Sequence, residues 1–419
     1  MRRLLVLGAG TAGTTVVNKL RPLLPREEWE ITVVEPAAFH LYQPGLLFVP
    51  FGRYEPDQLL KPTSQFLPAG VTLITESVER IDRENNLVEL AGGATLDYDQ
   101  LVIATGTHAR PDMTPGMAGP QLGHTVHEFY TLPGALALRK ALEAWEGGRL
   151  VVHLTELPIK CPVAPLEFAF LADDHFRRLG IRDRVELTFA TPLSGAFTKP
   201  IASERLGDML DQRGIIVEPD FYVERVDEGA LVSYDERVIP FDLLVTVPLN
   251  MGAEFVARSG LADELNHVKV DPYTFLADGC QNVFALGDAA ALPISKAGSV
   301  AHFAVEVFVE NFLEHIDGRP MKREFDGHAN CFVESGAGKA LLIDFNYDTE
   351  PLPGTYPLSV IGPLKLLKET RLNHLGKLAF RPIYWHMLLP GRRLPVPTEM
   401  SMAGKEMPTP QPEREDVTL

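Results

Sequence analysis

The chain has 419 residues, more than one domain of ~150 residues holds, so two or more compact units with ample core are expected. Its 45% hydrophobic and 23% charged residues exclude a disordered or collagen-like chain, and its net charge of −17 excludes a nucleic-acid backbone as main partner. Three cysteines with no C-x-x-C and no neighbouring histidine cluster give neither a disulfide framework nor a metal site, which leaves individual cysteine chemistry.

The chain begins Met1-Arg2-Arg3 and enters an apolar strand at once, so the expectation is cytoplasmic synthesis without a signal peptide. No stretch of 18 apolar residues exists to span a bilayer, though lying on one stays open. The strand Leu4 to Leu7 leads into Gly8-Ala9-Gly10-Thr11-Ala12-Gly13, and Thr14 onward continues as a helix. Gly8 and Gly10 permit a tight turn and close approach of a pyrophosphate to the helix N-terminus, while Gly13 lets helix and strand pack. A second strand, Ile31 to Val34, ends in Glu35, where a carboxylate is placed for the ribose hydroxyls of an adenosine. Two later strands end in Thr105-Gly106 and in Gly287-Asp288.

Together and in this order these blocks resemble the flavoproteins with two dinucleotide-binding domains. The resemblance implies FAD on the first glycine motif, with Thr105 and Gly106 beside it and Asp288 on its ribityl chain. It also implies that the helix after Lys296-Ala297-Gly298 aims its N-terminus at the flavin ring, favouring a reduced, anionic flavin. The fold class expected is α/β, with two Rossmann-like units and a C-terminal membrane-interface region. The boundaries are 1–112 with 271–330 for FAD binding, 113–270 for the second unit, 331–407 for the interface region and 408–419 for a disordered tail.

The middle unit departs from that pattern. The strand Arg149 to Leu154 is followed by Thr155-Glu156-Leu157-Pro158-Ile159-Lys160-Cys161-Pro162, and no glycine occurs after Leu150 until Gly180. Prolines and bulky residues keep successive amides from a pyrophosphate, so nicotinamide is not expected as the electron donor. Cys161 instead stands at the head of a helix beside Lys160, a setting that favours thiolate and makes it reactive rather than inert. Glu167, one turn into that helix, is either a proton carrier or a solvated carboxylate.

Lys160-Cys161-Pro162-Val163-Ala164-Pro165-Leu166-Glu167 is similar to the first active-site cysteine segment of the sulfide:quinone oxidoreductases and of the flavocytochrome c sulfide dehydrogenase flavoproteins. Cys331, 170 residues on, sits where their second cysteine lies. Phe39-His40-Leu41-Tyr42-Gln43-Pro44-Gly45 is similar to their H-x-Y-Q-P segment, which implies Gln43 near the flavin. The resemblance implies a redox bridge between Cys161 and Cys331, sulfide as donor, FAD as cofactor and quinone as acceptor. Cys161 would carry the persulfide and Cys331 would face the flavin. The third cysteine of many such enzymes is missing from His124–Phe129, which favours a two-cysteine subtype; Cys280 reads as structural. A type II NADH:quinone oxidoreductase shares the fold but needs the second glycine loop, and a flavin-binding scaffold without turnover stays an alternative.

From 360 to 395 there are seven Lys or Arg and one acid, Glu369, in an otherwise acidic chain. This basic, amphipathic stretch is expected to lie on anionic lipid with Tyr384 and Trp385 at the interface, peripheral on the membrane; its alternative is a packed helix pair or a contact between copies of the chain. Phe332, Phe345 and Tyr347 are candidate quinone contacts.

Overall fold

The computed structural model describes residues 1–357, 362–394 and 396–407; the tail expected at 408–419 lies outside them. Two five-stranded parallel sheets form the body. The first runs in the spatial order Val283–Ala285, Gln100–Ile103, Arg2–Leu7, Trp29–Val34, Val71–Ile74. The second runs Val126–His127, Leu243–Val247, Gly148–Leu154, Val185–Ala190, Ile216–Glu218. The plan is shared: a central strand, Arg2–Leu7 or Gly148–Leu154, the next two in the chain outward on one side and a later one returning on the other, with the outermost strand beyond it coming last in the first sheet and first in the second.

In each sheet the returning strand, Gln100–Ile103 or Leu243–Val247, follows a three-stranded antiparallel meander, Val78–Asp82 to Thr95–Asp97 in one and Val223–Asp227 to Val238–Pro240 in the other. Interior strands are buried on both faces and therefore read as near-continuous apolar runs, LLVL and LLVTV, instead of alternating. Covering helices Thr11–Leu20 and Gly298–Ile316 pack on the first sheet, and Ala164–Leu179 on the second.

A hairpin, Ala329–Gly336 with Lys339–Phe345, starts the C-terminal third, its turn formed by Ala337 and Gly338 at positive φ. In its register Cys331 pairs Ile343 and Asn330 pairs Asp344. Leu364–Leu366 and Gly354–Tyr356 extend this sheet, and the helix Arg371–Ile383 with the wide turn Tyr384–Leu388 lies against it and against the first unit. Thr370 caps that helix by accepting the amide of Asn373. No helix among the described residues is long and apolar enough to cross a membrane.

Candidate active site

The glycine turn has the shape that its residues imply. Gly8 sits at φ +97°, and a Cβ there would lie 2.5 Å from the Ala104 carbonyl oxygen; one on Gly13 would lie 1.9 Å from that of Gly8. Only glycine fits at either position. Gly10 and Gly106 have nothing within 4 Å of a would-be Cβ, so their faces are open to a ligand, and the hydroxyl of Thr105 is buried with no protein partner. Open glycine backbone and an orphaned hydroxyl at the carboxyl ends of parallel strands fit a dinucleotide cofactor.

Glu35 spends both oxygens nearer home, accepting the Ala9 amide at 2.8 Å and the Ala37 amide at 2.8 Å. It braces the glycine turn and keeps further lone pairs for a ribose. Asp288 follows Gly287, itself at φ +64°; burial holds its carboxyl above the ordinary range against the pull of Lys296 and Lys160. The Lys296 ammonium donates to the carbonyls of Asp288 and Ala290, and burial lowers it to about 8. Gln43 is exposed at the start of the short turn Gln43–Phe48.

Cys161 and Cys331 come together across the fold. The Ala164–Leu179 helix carries Cys161 just ahead of its first turn and packs on the strand that carries Cys331. Both are free and partly exposed, and the charge of one raises the other. Cys161 is held at φ +51° with its amide donating to the Lys296 carbonyl at 2.7 Å. The Lys160 amide donates to Asn250 Oδ1, so the turn that lacks glycine also has these amides occupied.

The expected source of thiolate character is corrected here. Lys160 turns its ammonium away to the Thr107 carbonyl at 3.0 Å, and burial pushes the Cys161 thiol well above its ordinary value, with Glu167 adding to the rise. The cation that reaches both sulfurs is Lys377. Burial likewise lifts Cys331, to about 12, with Lys377 pulling against it and Glu167 reinforcing it.

Glu167 is fully buried and so is not a solvated helix carboxylate. Its Oε1 accepts Lys377 Nζ and, at 2.6 Å, the amide of Glu334, while Oε2 has no partner. Burial raises its pKa despite Lys377; burial likewise lowers that of Lys377, but Glu167 and the Cys161 sulfur outweigh it. Glu334, also buried, meets His374 at 2.8 Å and Arg53 at 3.7 Å, and Arg53 reaches Asp174 at 3.4 Å. A chain of charge thus runs from the cysteines to the surface. Lys377, Glu334, His374 and Arg53 were not singled out by the sequence; Lys377 was counted among lipid-facing cations, and only long-range packing distinguishes it.

Of the quinone candidates, Phe332 is partly exposed and packs on Gly376, one residue from Lys377. Phe345 is buried beneath Lys199, and Tyr347 packs on Phe325 and donates its hydroxyl to the Pro272 carbonyl. Tyr384 and Trp385, expected at a lipid interface, are 2% and 4% exposed, packed with His40, Tyr42 and Phe66. Their apolar neighbours on the first unit claim them before a bilayer can.

Residues 2–153 match the model of the pyridine nucleotide-disulphide oxidoreductase family. The class is therefore that of FAD-binding oxidoreductases. Over nine-tenths of its length the chain is a homologue of sulfide:quinone oxidoreductases. It is 28% identical to the mitochondrial sulfide:quinone oxidoreductase of Mus musculus over 402 residues, covering 92% of this chain and 86% of that one. It is 27% identical to that of Dictyostelium discoideum, covering 93% and 86%. The sulfide:quinone oxidoreductase structure from Aquifex aeolicus superposes with a TM-score of 0.79 at 21% identity, covering 94% of this chain and 92% of that one.

Proposed function

We propose that this chain is a membrane-peripheral sulfide:quinone oxidoreductase. The observation that carries the reading is the meeting of Cys161 and Cys331 beside Glu167 and Lys377, where the superfamily's second glycine loop would otherwise serve a nicotinamide. In the oxidised enzyme the two sulfurs form a disulfide. Hydrosulfide attacks Cys161 Sγ, a new S–S bond forms there as the bridge breaks, and Cys331 leaves as thiolate. Sulfide has then given up an electron pair, held on Cys331, and its sulfur remains as a persulfide on Cys161. Lys377 stabilises the departing thiolate, and Glu167, with its free oxygen, takes the proton released. FAD, when bound, supplies the two-electron relay between this thiolate and a quinone.

On this reading Gly8, Gly10, Gly13, Glu35, Thr105, Gly106, Gly287, Asp288 and Lys296 hold the flavin, with Gln43 nearby. The units are 1–112 with 271–330 for FAD, 113–270 as a second Rossmann-like unit, and 331–407 for quinone and membrane. Quinone enters beside Phe332 and Phe380, the latter 3.9 Å from a would-be Cβ on Gly298. The helix Arg371–Ile383 leaves Leu372 and Leu375 44% and 57% exposed, in line with exposed Ala379 and Pro382. Exposed Lys365, Lys368, Arg371, Arg392 and Arg393 flank this stripe, which suits an anionic lipid surface.

The test is anaerobic mixing of the purified yellow protein with excess sulfide and, separately, with NADH, followed by a soluble quinone. Bleaching by sulfide alone, reversed by quinone, is expected. Bleaching by NADH and not by sulfide would install the nicotinamide enzyme instead; bleaching by neither would leave the scaffold.

A further inference from the structure

The glycine turn is gripped from outside by the C-terminal element. Tyr384 places its hydroxyl 2.6 Å from His40 Nε2 and 2.8 Å from Thr11 Oγ1, and His40 Nδ1 lies 3.0 Å from the Ala9 carbonyl oxygen. The proton positions follow. A carbonyl only accepts, so Nδ1 of a neutral imidazole carries the hydrogen and Nε2 is left as acceptor; Tyr384 donates to it, and Thr11 donates to the tyrosine oxygen. Burial holds the imidazole neutral, at about 4.

Ala9 and Thr11 flank Gly10, whose face is open, and Thr11 begins the helix whose free amides would meet a pyrophosphate. Two further bonds extend the seam: Thr15 Oγ1 donates to the Leu388 carbonyl at 3.4 Å, and Asn18 Nδ2 to that of Leu389 at 3.0 Å. Trp385 stacks on Phe66 at 5.2 Å beneath the Lys61 ammonium. The same C-terminal helix carries Lys377 to Glu167, seven residues or roughly 10 Å before Tyr384. One rigid element therefore touches both the cysteine site and the cofactor turn.

We propose that Tyr384 is a positioning residue for the flavin, locking the Ala9–Thr11 turn through His40 and Thr11, so that flavin retention and seating of the helix Arg371–Ile383 are one coupled equilibrium. The inference rests on FAD binding at the first glycine motif and is independent of the reductant, so it survives if sulfide proves not to be the donor. Reciprocity follows: whatever the seated helix contributes to holding flavin, bound flavin returns to holding the helix.

Two measurements test it. Flavin release from holoenzyme, read by the rise in free-flavin fluorescence on dilution, is compared for wild type, T11V, Y384F and the double variant. Each single variant is expected to release flavin about three- to tenfold faster, and the double no faster than Y384F, because Y384F already loses both the His40 and the Thr11 bonds and so includes the one that T11V removes. Unchanged rates in the singles, or a double equal to their product, would overturn the coupling. On the native sequence, trypsin cleavage at Arg371 and Lys377 is compared with flavin bound, stripped and restored. Several-fold faster cleavage of the stripped form, reversed by FAD, is expected; equal rates would overturn the proposal even if the variants fail to fold.

Discussion

Glu167 and Lys377 oppose each other at the sulfurs, and that opposition is measurable. Lys377 lowers both thiols and Glu167 raises both. K377Q should therefore move the pH profile of sulfide-driven flavin bleaching to higher pH, and E167Q should move it to lower pH. A shift of one unit in Cys331 costs about tenfold in thiolate at neutral pH. If E167Q instead cuts the plateau rate with no shift, Glu167 acts only as the proton carrier. K377Q also leaves a buried carboxylate without its cation, so a fall in stability of about 3–5 kcal/mol in urea titration accompanies it. Replacing Cys161 or Cys331 by serine should abolish bleaching by sulfide while leaving flavin bound, because neither side chain lies in the glycine cradle.

At the scale of elements, the glycine turn was fully legible because its constraint is local: a strand, three glycines and a helix leave one geometry. G13A should yield flavin-free protein, since its Cβ would sit 1.9 Å from a backbone oxygen that cannot step aside; a normal yellow yield would refute the cradle. The C-terminal helix was legible as amphipathic but not as to which face meets what. Spacing alone groups Lys377 with Lys368 and Trp385 with Leu375, although the first of each pair is claimed by Glu167 or Phe66 from distant parts of the chain. Such claims depend on tertiary contacts between segments hundreds of residues apart, which no local pattern encodes. The stripe left over predicts that L372E with L375E loses binding to anionic vesicles in flotation while still bleaching with sulfide in solution. Retained flotation would move the lipid contact elsewhere.

The whole molecule repeats one plan in two sheets, and the difference between them decides their use. In the first, glycines leave backbone open at the strand ends; in the second, Cys161 occupies that place and is tied by its amide to the Lys296 segment of the first unit. Packing buries imidazoles in separate layers: His40 under the C-terminal turn, His302 on the helix Gly298–Ile316 and His153 in the second sheet. His40, His302 and His153 lie 5%, 5% and 0% exposed, and burial lowers them to about 4, 4 and 3. His153 has only the Thr246 hydroxyl for its Nδ1 and none for Nε2, so a proton gained there would be buried without a partner. The sign is fixed by linkage. A histidine whose folded pKa is depressed binds its proton more readily unfolded, so above its ordinary pKa it costs nothing, and stability falls as pH drops from about 6.5 toward the folded value. At pH 5 each such residue removes about 2 kcal/mol. The urea midpoint should therefore fall between pH 7.5 and 5, and H153F, which puts an apolar ring against Phe221, should fall less steeply than wild type. Parallel curves for the two proteins would mean that His153 titrates alike folded and unfolded, contrary to its burial.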